Sequence, residues 1–219
     1  MASDVEVGNV RSPEEWARIR EICCETGASG RPVEPRERWP FFGEFWIGPY
    51  ERLLPDWTFV ARSGGEVVGY LTGCPDSLPF YARRLVAHRV PLALGAVAGR
   101  WAKTEDVVKF LHPAHRARRA VAPRFGLKLY GLLLRRYPAH LHINVREGER
   151  AGGVGRKLTE AYVARLQAIG ARGLHLFCGP NPVAFYRRVG FHKLACRDLG
   201  KGPVFVMARR IKAGRKVVE

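Results

Sequence analysis

The stretch HLHINVREGERAGGVGRKLTEAY, residues 140–162, places Gly152, Gly153 and Gly155 between two differently patterned runs. Before the glycines, His140 to Val145 alternates, so Leu141, Ile143 and Val145 share one face of a strand and His140, His142 and Asn144 the other. After them, Val154, Leu158, Ala161, Tyr162 and Leu166 recur at helical spacing until Gly170 stops the pattern. Glycines at the mouth of a helix leave backbone N–H groups facing outward, and the positive end of the helix dipole reinforces them, so such a mouth binds phosphate. A side chain there would hold an anion off the amides, and the turn itself can require a positive φ. Two familiar phosphate loops are excluded, because residues 152–156 do not spell GxGxxG and no GxxxxGK[ST] occurs. Arg150, Gly153 and Gly155 do spell Arg-x-x-Gly-x-Gly, with Arg156 and Lys157 adding positive charge.

Working outward, Ser12-Pro13-Glu14-Glu15 carries the signals of a helix start, with Trp16, Ile19, Ile22 and Cys23 on its apolar face and Gly27 to Gly30 at its end. Glu34 to Leu54 is rich in aromatics, and Pro40 and Pro49 are expected to break it into short helical pieces. Trp57–Arg62 and Val67–Thr72, joined by Ser63 to Glu66, read as a hairpin. Downstream of the glycines, a strand is expected over Leu174–Cys178 and a brief helix from Pro180-Asn181-Pro182 through Val189. Closing strands follow at Phe191–Cys196 and Val204–Ala208. The order implies an α/β fold of the α+β type, a central mixed and mostly antiparallel sheet flanked by helices, in one domain over residues 1–219.

The charge is lopsided, with 37 basic against 20 acidic residues for a net +17. Residues 79–136 look helical and hold 13 Arg or Lys against only Glu105 and Asp106, with His112, His115 and Arg116 to Arg119 densest. Such a field attracts polyanions, whether acidic protein, phosphorylated cofactor or nucleic acid, although no recognised nucleic-acid motif is spelled there. An Arg-rich composition with solvated charges explains the same numbers. Cys23, Cys24, Cys74, Cys178 and Cys196 show neither CxxC nor metal-ligand spacing, so reduced thiols are expected, mostly buried. The N-terminus lacks a signal pattern, and the run from Val90 to Gly99 is about half the roughly 20 residues of a membrane span, so a soluble cytoplasmic protein with no membrane partner is expected.

A second motif, NPVAFYRRVGF at residues 181–191, lies about 30 residues after the glycines. Together with the strand and Arg150-x-x-Gly153-x-Gly155, it resembles the GNAT acyltransferase superfamily, whose cofactor-binding core would cover residues 140–196. A narrower resemblance, carried by YPAHLHI at 137–143 and GYLTGCPD at 69–76, is to the acetyltransferase-like domain of O-GlcNAcase and its free-standing bacterial relatives.

The superfamily resemblance implies an acetyl-CoA-dependent N-acetyltransferase. The strand His142 to Arg146 would hold the thioester and pantetheine, with the N–H near Val145 as oxyanion donor. Pyrophosphate would rest on the amides of Ala151, Gly152, Gly153, Val154, Gly155 and Arg156, beside Arg150. Asn181 would contact the pantetheine arm or order a water, or cap its helix. Tyr186 would protonate the departing thiolate, or pack as a core tyrosine. The narrower resemblance, to the O-GlcNAcase-like domains, implies an acid where this chain has Asn144, and an amide cannot act as base. His142 and Asp76 are the remaining candidates, so Tyr186, Asn144 and His142 are the candidate catalytic positions. The aromatic segment 39–50 and the basic segment 79–136 would frame the groove for an unknown amine acceptor, a small molecule or an acidic protein segment. The alternative is a module that binds acetyl-CoA and transfers nothing.

Overall fold

The computed structural model describes residues 5–112, 122–200 and 202–212. His115, Arg116 to Arg119 and the chain beyond residue 212 lie outside these residues. The sheet has seven strands: β1 (Val5–Asn9), β2 (Thr58–Ser63), β3 (Glu66–Cys74), β4 (Ala139–Val145), β5 (Gly173–Cys178), β6 (His192–Asp198) and β7 (Pro203–Arg210). Their order is β1-β2-β3-β4-β5-β7-β6. Every neighbouring pair is antiparallel except β4 and β5, so the expected mixed, mostly antiparallel sheet is present. β1 is an addition to the expected strands: its five residues hold two valines, and only Val5 is buried, too short an alternation to register as a strand.

Helices α1 (Pro13–Thr26) and α2 (Trp39–Leu53) cover one face of the sheet, and α7 (Val154–Ala168) covers the other. Between β3 and β4 come α3 (Ser77–Arg84), a π-turn at Leu85–Arg89, α4 (Val90–Val97), α5 (Glu105–Leu111) and α6 (Leu127–Arg136), and α8 (Val183–Arg188) follows β5. Most of the described residues of 79–136 are helical, as expected, with Ala98 to Thr104 a non-helical link between α4 and α5. α1 starts as its sequence reads: the Ser12 side chain accepts from the Glu15 N–H, with Pro13 in the first turn.

The aromatic segment departs from expectation. Instead of short pieces, α2 runs unbroken for 15 residues through Pro49. Pro40 sits in the first turn, where a missing N–H is no loss. Pro49 deprives the Phe45 carbonyl of its helical donor, and Arg84 of α3 supplies one instead, Nη2 to oxygen at 3.0 Å. A tertiary contact mends what the local sequence breaks.

The main core lies between the sheet and α7, centred on Leu71, Leu141, Leu158, Tyr162, Leu166, Leu174 and Met207. Tyr162 locks β3 to β4: its hydroxyl accepts from the Cys74 N–H at 3.1 Å and lies 2.9 Å from the His140 carbonyl. The ring fits only because residue 73 is glycine, since a Cβ there would lie 2.2 Å from Tyr162 Cε2.

Candidate active site

β4 and β5 pair in parallel only at Ala139–Leu174 and His140–His175, then diverge. Towards β3 the register is continuous, and Arg146 N–H donates to the Val68 carbonyl at 3.0 Å. Antiparallel alternation therefore makes Asn144–Tyr70 and His142–Thr72 bonded pairs and turns the N–H and C=O of Ile143 and Val145 toward the departed β5. A gap edged by backbone polar groups results, where a carbonyl can meet an N–H.

The glycine turn lies at the end of this gap. A 3-10 turn over Glu147–Gly152 leads to Gly153 at φ 75°, the N-cap of α7. No side chain caps α7, so the early amides of a 15-residue helix keep their donors free of side-chain partners. The glycines have different causes. Gly153 is required by its positive φ, Gly152 has open space around it, and a Cβ at Gly155 would press to 3.1 Å from the Phe185 ring of α8. The two motifs read from the sequence therefore touch, Gly155 on Phe185.

Arg150 does not reach over the glycines. Its Nε donates to the Val145 carbonyl at 3.1 Å and its Nη2 to the Gly30 carbonyl at 3.1 Å, so it braces the end of β4 against the loop after α1. Arg156 is exposed and pairs with Glu160 one turn along α7. Ala151 and Arg146 are exposed, whereas Val154 is fully buried under β3. Arg146 and Arg150 also line an open concavity of about 330 Å³, but Glu25, Glu147 and Glu149 share it, making it a poor anion site.

Tyr186 of α8 is buried between Phe185 and Phe191, and burial pushes its phenol far up, so it is a neutral O–H at physiological pH. Asn181 is exposed and caps nothing. α8 begins two residues later, with Pro182 at its N-cap and no side-chain cap bond, so the capping role fails. Asp76 is occupied as a cap: its Oδ1 accepts from the Leu78 N–H at 3.1 Å at the start of α3. Asn144 donates from Nδ2 to the buried Tyr70 hydroxyl at 2.7 Å.

The even-numbered face of β4 is flanked by the rings of Trp46 and Tyr50 of α2 and Tyr81 of α3, with the charge of Arg84 acting on His140 and His142. His142 lies 5.5 Å from the Trp46 ring and 6.1 Å from Tyr50, centroid to centroid. Its ring is open to solvent on one side and surrounded by protein elsewhere. Loss of hydration, then the charge of Arg84, push its pKa down to about 4. His140 is buried. Ser77 Oγ donates to the Pro138 carbonyl at 2.5 Å, so His140 Nδ1–H donates to Ser77 Oγ at 2.7 Å, and Nε2 accepts from Tyr50 at 3.0 Å. This chain fixes a neutral tautomer, in keeping with the lowered pKa that burial gives His140.

Sequence reasoning finds β4, the glycines and Tyr186, and names the segments that hold Tyr50, Tyr81 and Arg84 without singling those residues out, but misses Ser77. All four come from elements more than 50 positions before β4 and carry no motif. The thiols are all free: Cys23, Cys24 and Cys74 are buried, Cys178 is half-buried and Cys196 is exposed. Among the described residues no helix is long and apolar enough to cross a membrane.

No family model matches the chain. Solved structures do. SsHAT is 27% identical, with 95% of this chain and 99% of that one covered and a TM-score of 0.71. The ribosomal-protein-S18-alanine N-acetyltransferase from Escherichia coli is 14% identical, covering 99% and 100%, at a TM-score of 0.51. The yncA protein from Salmonella typhimurium, solved with its cofactor acetyl-CoA, is 14% identical, covering 97% and 96%, at 0.53. The last two matches show a shared fold. The match to SsHAT, over nearly the whole of both chains, upholds the resemblance read from the two motifs, the narrower one included.

Proposed function

We propose that this chain, a member of the GNAT superfamily, is an acetyl-CoA-dependent N-acetyltransferase that acetylates an amine. The observation that carries the reading is the parting of β4 from β5 directly beside the uncapped, glycine-led start of α7. The residues present fit the cofactor: the amides from Ala151 to Arg156 suit a pyrophosphate, and the open space at Gly152 and Gly153 lets it approach. Bound acetyl-CoA would supply a thioester whose carbonyl is open to attack by an amine.

The chain's own groups divide the remaining work. The Val145 N–H, turned into the gap, is placed to hold a developing oxyanion, and Arg150 fixes that segment through the Val145 carbonyl. Tyr186 keeps its proton and is the group we assign to protonate the leaving thiolate. His142 is the assigned acceptor-side group. Being neutral, it can take a proton from the attacking amine directly or through a water, and the low pKa makes it a weak base. Asn144 orients rather than catalyses, since its amide is held by Tyr70. The acceptor enters past Trp46, Tyr50 and Tyr81.

The lack of a carboxylate at Asn144 favours one other reading, in which acetyl-CoA is bound and not consumed. Calorimetric titration of wild type and Gly152→Glu with acetyl-CoA tests the cofactor site. Position 152 is the choice because a side chain meets nothing there and φ is not positive, whereas Gly153 would add backbone strain. Micromolar binding by wild type and about a 100-fold loss in the variant, about 2.7 kcal/mol, is expected. Single-turnover loss of the thioester with amines present then separates transferase from binding module.

A further inference from the structure

Arg84 differs from the arginines that fold back onto carboxylates. Arg18, Arg20, Arg38 and Arg62 each hold a carboxylate, on Glu21, Glu44, Asp106 and Glu15 respectively. Arg84 holds none among the described residues. Among the described residues its one hydrogen bond is from Nη2 to the Phe45 carbonyl, Cζ lies 5.3 Å over the Phe45 ring, and Nε–H is buried without a partner. The ionisable groups that favour its charge are two phenols, Tyr50 and Tyr81, and the field it makes reaches His140 and His142. A guanidinium has five N–H donors, and mending the break at Pro49 uses one. A desolvated, uncompensated cation is costly unless something pairs with it.

We propose that Arg84 is the acceptor subsite for a carboxylate, so that the natural acceptor is a small amino-carboxylate whose amine lies at His142 and whose acid end lies on Arg84. The geometry sets the scale. Arg84 interacts with Tyr50, and the Tyr50 ring lies 6.1 Å from that of His142, so one aromatic side chain separates the two ends of the acceptor. Trp46, Tyr50 and Tyr81 flank that path and suit an apolar spacer. The spare donors of a planar guanidinium match the two oxygens of a carboxylate. The inference rests on the acetyltransferase reading and goes further, since the motifs say nothing of the acceptor.

The test compares β-alanine, 4-aminobutyrate and 6-aminohexanoate with their primary carboxamides, at saturating acetyl-CoA. Wild type is expected to prefer at least one carboxylate over its amide by about 30-fold in kcat/KM, the scale of a hydrogen bond to a charged group. Arg84→Gln, which keeps a side-chain N–H for the Phe45 carbonyl, should erase that preference through KM for the carboxylate alone. Arg84→Lys should restore part of it. Acetyl-CoA affinity and Tm should hold in both. Equal losses on acid and amide with a lowered Tm would make Arg84 only a brace for α2. A preference for O-phosphoethanolamine over every carboxylate would overturn the carboxylate assignment. Acetyl-CoA binding with no turnover of any probe would overturn the acceptor class and leave the cofactor site standing. Should acetyl-CoA not bind, the transferase reading falls, and calorimetry must still show wild type holding 6-aminohexanoate more tightly than its amide, or the subsite falls with it.

Discussion

The two faces of β4 are made from different materials. Toward α7, the odd-numbered residues pack into the core, and the gap beside β5 is edged by main-chain atoms, glycines and one helix end. Toward α2 and α3, the even-numbered residues meet Tyr50, Trp46 and Ser77, side chains drawn from distant parts of the chain. Backbone chemistry is common to every sequence with this topology, whereas the side-chain surface belongs to this chain. The first face therefore suits an invariant cofactor and the second a particular acceptor.

Substitutions on one face should leave the other's ligand untouched, and the largest effect is expected at Tyr186. Tyr186→Phe removes the proton donor with little change in shape, and kcat should fall by about 100-fold while acetyl-CoA affinity holds. An unchanged kcat would return Tyr186 to a packing role. His142→Gln should lower kcat/KM for the acceptor by about 10-fold with no effect on acetyl-CoA binding. If it weakens acetyl-CoA as much as Gly152→Glu does, the division between faces is wrong.

Asn144→Ala should cost about 1 kcal/mol of stability, because Tyr70 loses a buried donor, and leave the pH dependence of kcat unaltered. A shifted pH profile would place Asn144 in the proton path. The smallest effect near neutrality is on stability against pH. Burial, reinforced by neighbouring arginines, pushes His88 down to about 3, and burial also lowers His140 and His175. The unfolded chain binds these protons as pH falls below about 6.5, while the fold refuses them until near the lowered values, so stability is lost as pH drops through that window. Tm measured from pH 8 to 4 should be nearly level above about 7 and decline below about 6.5. A level Tm down to about pH 5 would mean the rings are protonated in the fold.

How much of this is readable in the sequence follows from the range of the forces involved. The alternation His140 to Val145, the helical spacing after Val154 and the glycine-to-helix junction are local patterns, and each appears where expected. The expectation for α2 fails because Pro49 is a local breaker whose repair comes from Arg84, on a different helix. Asp76 reads as free for proton transfer, but the start of α3 claims its carboxylate. Asn181 reads as a cap, yet the helix begins beyond it. Arg150 matches a phosphate motif by spacing, and its guanidinium instead spans from Val145 to Gly30.

The sequence by itself determined the class of fold, the glycine-led turn before α7 and the two motifs that Gly155 and Phe185 bring into contact, because periodicity and glycine placement act over a few residues. Tertiary structure alone decided which ionisable groups gather on the even-numbered face of β4 and in what state. It turned His140 neutral through Ser77 and Tyr50, brought His142 under Trp46, and left Arg84 desolvated without a carboxylate. Burial and charge proximity belong to the assembled chain, and those two quantities set the protonation of every group on that face.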